Sequence, residues 1–147
     1  MAVARGLRRL LHVRELEEEQ RRLALETALA ELHRLQEQLG RAQRQDRRGR
    51  ELITSSAHTG EIADRLAGLE ESRAAARRTK ALADRLSDIE AEVGELRAAY
   101  LAVRVERRQA EVLIEETESR EAAEAARRSQ QDLDDWHRAQ KARNEPH

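Results

Sequence analysis

The sequence contains no cysteine and no phenylalanine, and only one tryptophan, one tyrosine and one proline in 147 residues. Without cysteine there is no disulfide framework and no thiolate metal site. With aromatics at 1%, a globule of this size would lack the large side chains that dominate core energetics. No apolar run approaches the ~20 residues needed to span a bilayer. The start, Met1 to Leu16, lacks the apolar stretch of an export signal. It reads as a short basic amphipathic helix, whose arginine face is either solvated or rests on a membrane surface. A single proline leaves the backbone free to run as helix over long distances.

Charge is what the chain has in abundance. Charged residues make up 39% of it, yet the net charge is −1. Together with much Ala, Leu, Glu and Arg, this is the composition of a coiled coil or long helix. Disorder is the competing reading of so polar a chain, and one stretch decides against it. Leu82, Leu86, Ile89, Val93, Leu96, Tyr100, Val103, Arg107, Ala110, Ile114 and Thr117 follow one another at alternating steps of four and three. A seam of this narrowness cannot form a globular core; it can only zip against another helix.

The partner lies upstream. Leu7, Leu10, Val13 and Leu16 mark one face, with Leu11 beside it, and Leu23 follows. In a different phase come Leu25, Ala28, Leu32, Leu35, Leu39 and Ala42. Arg41, Arg44, Arg47, Arg48 and Arg50 read as cations in the last turns of this helix, where they suit its dipole. The break is Thr54-Ser55-Ser56-Ala57-His58-Thr59-Gly60, whose hydroxyls and glycine compete with helical hydrogen bonding. Thr59 or Gly60 would cap the next helix, with Glu61 and Asp64 in its first turn. That helix opens with Ile62, Leu66 and Leu69 on one face and shifts phase around Ala74 to Ala76 before entering the long stripe. Gly40, Gly49, Gly68 and Gly94 each cost about 1 kcal/mol within helical patterns without ending them.

The expected fold is therefore all-α: one domain over residues 1–147, two long helices forming an antiparallel coiled-coil hairpin. Helix one runs over about 3–53, the turn over 54–60 and helix two over 61–142. A turn centred near residue 58 makes Leu32 face the Leu86 region, Leu16 face Tyr100 and Leu7 face Ala110. Beyond about Ile114 helix two has no partner and overhangs by roughly 40 Å at 1.5 Å per residue. The overhang carries Ala122, Ala126, Ser129, Leu133 and Trp136 in a new phase, with Pro146 at its end. Two copies running in parallel are the alternative, a generic structural coiled coil, but the central break argues for folding back.

Charge is uneven, at net +4 over residues 41–80 and −6 over residues 81–124. This is not the overall basic stripe, interleaved with stacking aromatics, that binds nucleic acid. No phosphate-binding glycine loop occurs. His12, His33, His58, His137 and His147 form no close ligand pair, so neither a metal nor another cofactor is expected. A two-helix rod offers no pocket in which to shift a carboxylate's pKa, so the protein is not expected to be an enzyme. Asp132, Asp134 and Asp135 read as a solvated face around Leu133 and Trp136.

The C-terminal run Ser129-Gln130-Gln131-Asp132-Leu133-Asp134-Asp135-Trp136-His137-Arg138, followed by Ala139 to Pro146, resembles the end of the FliJ family. In that pattern an aliphatic, two acids and an aromatic precede a basic tail. Leu7 to Glu19 looks like the family's N-terminal helix, and the length and central break also fit. The chain departs from the family where an aromatic is common early in helix two: here Ile62, Arg65, Leu66 and Leu69 stand instead.

The resemblance implies a stalk of the bacterial flagellar export apparatus, like the central shaft of rotary ATPases. Such a stalk sits in the hexameric export ATPase FliI, reaches the export gate component FlhA and handles export chaperones. It is cytoplasmic, held at the cytoplasmic side of the membrane at the flagellar base through its partners. The related alternative is the stalk of a virulence type III secretion system. On this reading Arg5, Arg8, Arg9, Arg14, Leu133, Trp136 and Arg138 are the candidate ATPase contacts, and Ile62, Leu66 and Leu69 the candidate gate contacts.

Overall fold

A computed structural model describes residues 2–145; Pro146 and His147 lie outside the described residues. It contains two α-helices, α1 (Ala2–Thr59) and α2 (Ile62–Asn144), and no strand among the described residues. The two long helices pack against each other within two compact units. One comprises Glu19–Leu101, the other Met1–Glu18 with Ala102–His147.

In the Glu19–Leu101 unit, Glu31 pairs with Arg85, Gln45 accepts a hydrogen bond from Arg78, and Asp46 accepts one from Ser72. Numbers rise on α1 as they fall on α2, so the strands of helix run antiparallel. The core is the seam read from the sequence. Ala28, Leu35 and Ala42 on α1 and Leu86 and Val93 on α2 are buried. Leu25, Leu32, Leu39, Leu82, Ile89, Leu96 and Tyr100 are half-buried beside them.

Two expectations at the turn are corrected. Residues 54–59 are helical, and the break is confined to Gly60 and Glu61. The hydroxyls do not divert the backbone, because they bond back into their own helix. Thr54 Oγ1 donates to the Arg50 carbonyl at 3.0 Å and Ser56 Oγ to the Ile53 carbonyl at 2.7 Å. Gly60 is not a cap for α2 but ends α1: its φ of 74° is left-handed, and its N–H donates to the Ser56 carbonyl at 2.7 Å. A residue with a Cβ is strained in that conformation.

With the centre at Gly60, facing positions shift by about one turn from those expected. Ala28 and Glu31 share a groove with Ile89, Glu92 and Leu96 while Glu31 also pairs with Arg85, so the stretch holding Leu32 faces the span from Arg85 to Ile89, which includes the expected Leu86 region. The arginine cluster also loses its dipole rationale. The last turn of α1 holds only His58 as a basic group, and Arg41 to Arg50 lie two turns or more inside the helix.

The second helix needs no phase shift. The seam runs unbroken upstream of Leu82 through Thr79, Ala75, Ser72 and Gly68, all buried or half-buried. On α1 it continues past Ala42 through Asp46, Gly49, Ile53 and Ser56. Small residues let the backbones touch. A Cβ at Gly68 would lie 2.6 Å from the Gly49 carbonyl oxygen. A Cβ at Gly49 would lie 2.8 Å from the Gly68 carbonyl oxygen and 2.9 Å from the Ser72 nitrogen. Beside this contact Ser72 Oγ donates to Asp46 Oδ1 at 2.7 Å, which satisfies a carboxylate held in the seam.

In the other unit the α1 segment ending at Glu18 packs on the α2 segment starting at Ala102. Arg8 pairs with Glu118 at 3.0 Å, Arg14 with Glu106 at 2.9 Å, and Glu18 with Arg107. The turn that holds Leu7 therefore lies beyond Ala110, not opposite it. Ala110 is buried, and Val103, Ile114 and Thr117 are half-buried.

The N-terminal apolar row does not fill this seam. Leu10, Val13 and Leu16 are exposed, while Leu7, Leu11, Arg14 and Glu18 face α2. The reason is Arg107, which occupies a stripe position and needs a carboxylate opposite; Glu18 supplies it. Removal from water pulls the Arg107 pKa down, but the charges of Glu18 and Glu111 and their hydrogen bonds outweigh this and hold it above its ordinary value. Glu111 is held below the usual carboxylate range, first by the hydrogen bond from Arg108 and then by the Arg107 charge, against some desolvation.

Candidate partner-docking surfaces

In the unit containing the chain ends, the C-terminal part of α2 is exposed over a long stretch. Arg8 of α1 pairs with Glu118 of α2 near the chain's N-terminal end. From Glu118 to Glu145 every residue is exposed, and α2 stays helical to Asn144. Downstream of Glu121 the interactions among the described residues are local. Arg128 approaches Glu124, Gln130 donates to Asp134, and the Trp136 ring meets His137 edge to face at 5.2 Å. Cations Lys141 and Arg143 close the helix, where they favour its dipole.

Leu133 and Trp136 lie three residues apart on one face, 53% and 55% exposed. Trp136 stands 18 residues past Glu118, roughly 27 Å along an unbroken helix at 1.5 Å per residue. It therefore does not fold back to close the helix pair over Leu7 and Leu10. Arg138 is exposed near it.

The arginines of α1 divide into two kinds. Arg8 and Arg14 are engaged with Glu118, Glu106 and Glu17. Arg5 and Arg9 are exposed, with no acidic partner among the described residues. The structure thus places the four arginines on one short segment but does not bring them to Trp136. It also exposes apolar residues not singled out as a docking surface: Val3, Leu10, Val13 and Leu16 on α1, with Val105 and Leu113 on α2. The signal for these was the charged residue inside the apolar stripe, Arg107, which forces a polar seam and turns the leucines outward.

At the turn of the Glu19–Leu101 unit, Ile62 and Leu66 are 74% and 60% exposed and Leu69 is half-buried. They share the first turns of α2 but stand off the seam, which runs through Gly68. The neighbouring Glu61 carboxyl is pushed above the usual range, first by its hydrogen bond with Asp64, then by that group's charge and by partial desolvation. Apolar side chains and a carboxyl pushed toward its neutral form thus share the turn. No cluster of three or more metal-ligating side chains occurs among the described residues. No helix among them is long and apolar enough to cross a membrane.

Two packed helices, a single glycine turn and an unaccompanied C-terminal helix bearing Leu133-Asp134-Asp135-Trp136 are the context in which the family comparison reads. The family model described as flagellar FliJ protein matches residues 4–146. The chain belongs to the FliJ family. The match takes in nearly the whole sequence, including the aliphatic–acid–acid–aromatic run that carried the resemblance. Among curated proteins and among solved structures nothing matches. Membership of the FliJ family makes this chain a component of flagellar protein export.

Proposed function

We propose that the chain is a non-enzymatic stalk that couples the hexameric flagellar export ATPase FliI to the export gate component FlhA and to export chaperones. In this reading it works as a single stalk on the cytoplasmic side of the membrane at the flagellar base and is held there by its partners. The observation that carries the proposal is the exposed, unbroken helix from Glu118 to Asn144 in a member of the FliJ family. Trp136 is the anchor of the ATPase contact. A large amphipathic ring with no seam to fill is the side chain most enriched among interface hot spots. Arg5, Arg9 and Arg138 supply charge-assisted bonds to carboxylates of the ring and set orientation and encounter rate more than affinity. Arg8 and Arg14 contribute less, because they already serve Glu118 and Glu106. Ile62, Leu66 and Leu69 form the gate contact.

The test is stimulation of the purified export ATPase by Trp136→Ala and by an Arg5→Glu/Arg9→Glu pair. Neither change touches packed residues, so melting temperatures stay at the wild-type value. Trp136→Ala is expected to raise the concentration for half-maximal stimulation about thirtyfold, as befits an interface hot spot. The arginine pair is expected to raise it several-fold, more at low salt than at high salt. Wild-type stimulation by both variants defeats this placement of the ATPase contact.

A further inference from the structure

Arg41, Arg44, Arg47 and Arg48 sit in the middle of a helix, far from the terminus whose dipole would favour them. Their arrangement in space gives another reason. A groove of about 780 Å³ runs between α1 and α2 in the Glu19–Leu101 unit. Arg41, Arg44 and Arg48 line it from α1, and Arg78 and Arg85 from α2. Its floor is apolar: Ala42 is buried, Leu82 half-buried, and Ala81 lies beside them.

The α2 arginines are tethered, Arg78 to Gln45 at 2.8 Å and Arg85 to Glu31 at 3.2 Å. Arg41, Arg44 and Arg48 have no acidic partner among the described residues. Gathering five exposed guanidinium groups around one groove, only Arg85 of them paired with an acid, raises the local positive potential and favours an anionic partner. The α1 side from Gln38 to Arg48 spans about 15 Å, roughly three helical turns.

We infer that this groove is a docking site for an acidic amphipathic helix of a protein partner. The helix lays its apolar edge on Ala42, Ala81 and Leu82 and its carboxylates against the arginine rims. The inference does not rest on the export reading above. Three features select this occupant. The floor accepts apolar side chains from a narrow element, as in other helix-in-groove interactions. Guanidinium forks match carboxylates bidentately. The basic stretch is also short and bounded by acids, Glu31 and Glu37 before it, Glu51 after it, and Asp84 and Asp88 on α2. A nucleic-acid backbone or an anionic bilayer would extend over those carboxylates and be repelled.

The experiment uses the full chain and a fluorescent helical peptide of about four turns, with glutamates on one face and leucines on the other. Its companions are a copy with glutamine for glutamate, flexible polyglutamate, duplex DNA, and vesicles containing phosphatidylserine. The acidic peptide is expected to bind one to one, and the glutamine copy and polyglutamate at least tenfold more weakly. Arg44→Ala/Arg48→Ala/Arg78→Ala is expected to weaken the acidic peptide at least tenfold, whereas Arg21→Ala/Arg97→Ala leaves it unchanged. Alanine is the best helix former, so circular dichroism of both variants should match the wild type. The inference is overturned if the triple variant binds like the wild type, or if polyglutamate, DNA or vesicles bind as tightly as the peptide.

Discussion

Gly68→Ala lowers the stability of this protein, and Gly94→Ala, the same chemical change on the same helix, raises it. Helix propensity alone favours both substitutions by about 1 kcal/mol. At Gly94 nothing opposes the gain, because an added Cβ meets nothing within 4 Å. At Gly68 the Cβ would sit 2.6 Å from the Gly49 carbonyl oxygen, 3.0 Å from Ile53 Cγ1 and 3.1 Å from Leu52 Cβ. The nearest of these is backbone, which cannot rotate out of the way, so the helices must part and the neighbouring seam loses contact. Overpacking of this kind costs typically 1–3 kcal/mol, enough to outweigh the propensity gain. Gly68→Leu, which no separation of a few tenths of an ångström accommodates, is expected to be worse still. Thermal and urea unfolding of the three variants against the wild type check the signs. A rise in stability at both glycines would mean that the helices do not meet at Gly49 and Gly68.

The second large effect belongs to Leu35, the one large side chain fully buried among the described residues, at 1% exposure. A two-helix seam has no second layer to close over a hole. Leu35→Ala loses the transfer free energy of the side chain and leaves part of its space unfilled, for an expected cost of about 2–5 kcal/mol. Ile62→Ala is the comparison. Ile62 is 74% exposed, and its truncation should change stability by no more than about 0.5 kcal/mol. Urea midpoints give the two numbers. Amide hydrogen exchange of Leu35→Ala should show protection falling first on both sides of the seam, around residues 28–42 and 79–93. Equal effects at Leu35 and Ile62 would contradict the assigned seam.

The long apolar stripe was legible because large side chains mark it. Every position from Leu82 to Thr117 in the four-three series is buried or half-buried, and the Leu25–Ala42 run meets it from the other helix. Upstream of Leu82 the same seam passes through Thr79, Ser72 and Gly68, which carry no hydrophobic signal. Reading apolar residues alone leads off the seam to Ile62 and Leu66, which are solvent-exposed. Close backbone packing selects residues for being small, and hydrophobic periodicity does not register that. The turn was misplaced for a related reason. Serine and threonine favour turns on average, but Thr54 and Ser56 bond back to carbonyls of their own helix, so only Gly60 breaks it. One turn of register followed from that error.

For the candidate site, the exposed C-terminal part of α2 bearing Trp136 was readable from the end of the seam, but the expected end of pairing at Ile114 was too early, because Thr117 is half-buried and Glu118 still meets Arg8 of α1. The half-burial of Arg14 and the pairing of Arg8 were not, since an arginine's partner depends on register. The exposure of Leu10, Val13 and Leu16 was hidden by the assumption that leucines face the partner helix. The ion pair of Glu18 with Arg107 shows why they need not.

Trp136 is the chain's only tryptophan, so fluorotryptophan gives one fluorine resonance that reports on the unaccompanied helix alone. In the free protein this resonance should show the solvent isotope shift of an exposed ring. On adding unlabelled hexameric export ATPase it is expected to move and broaden, and to lose that solvent shift as the ring is buried. An unchanged resonance, in a sample where sedimentation shows the chain bound to the ATPase, would contradict the claim that the helix beyond Glu118 is the docking element.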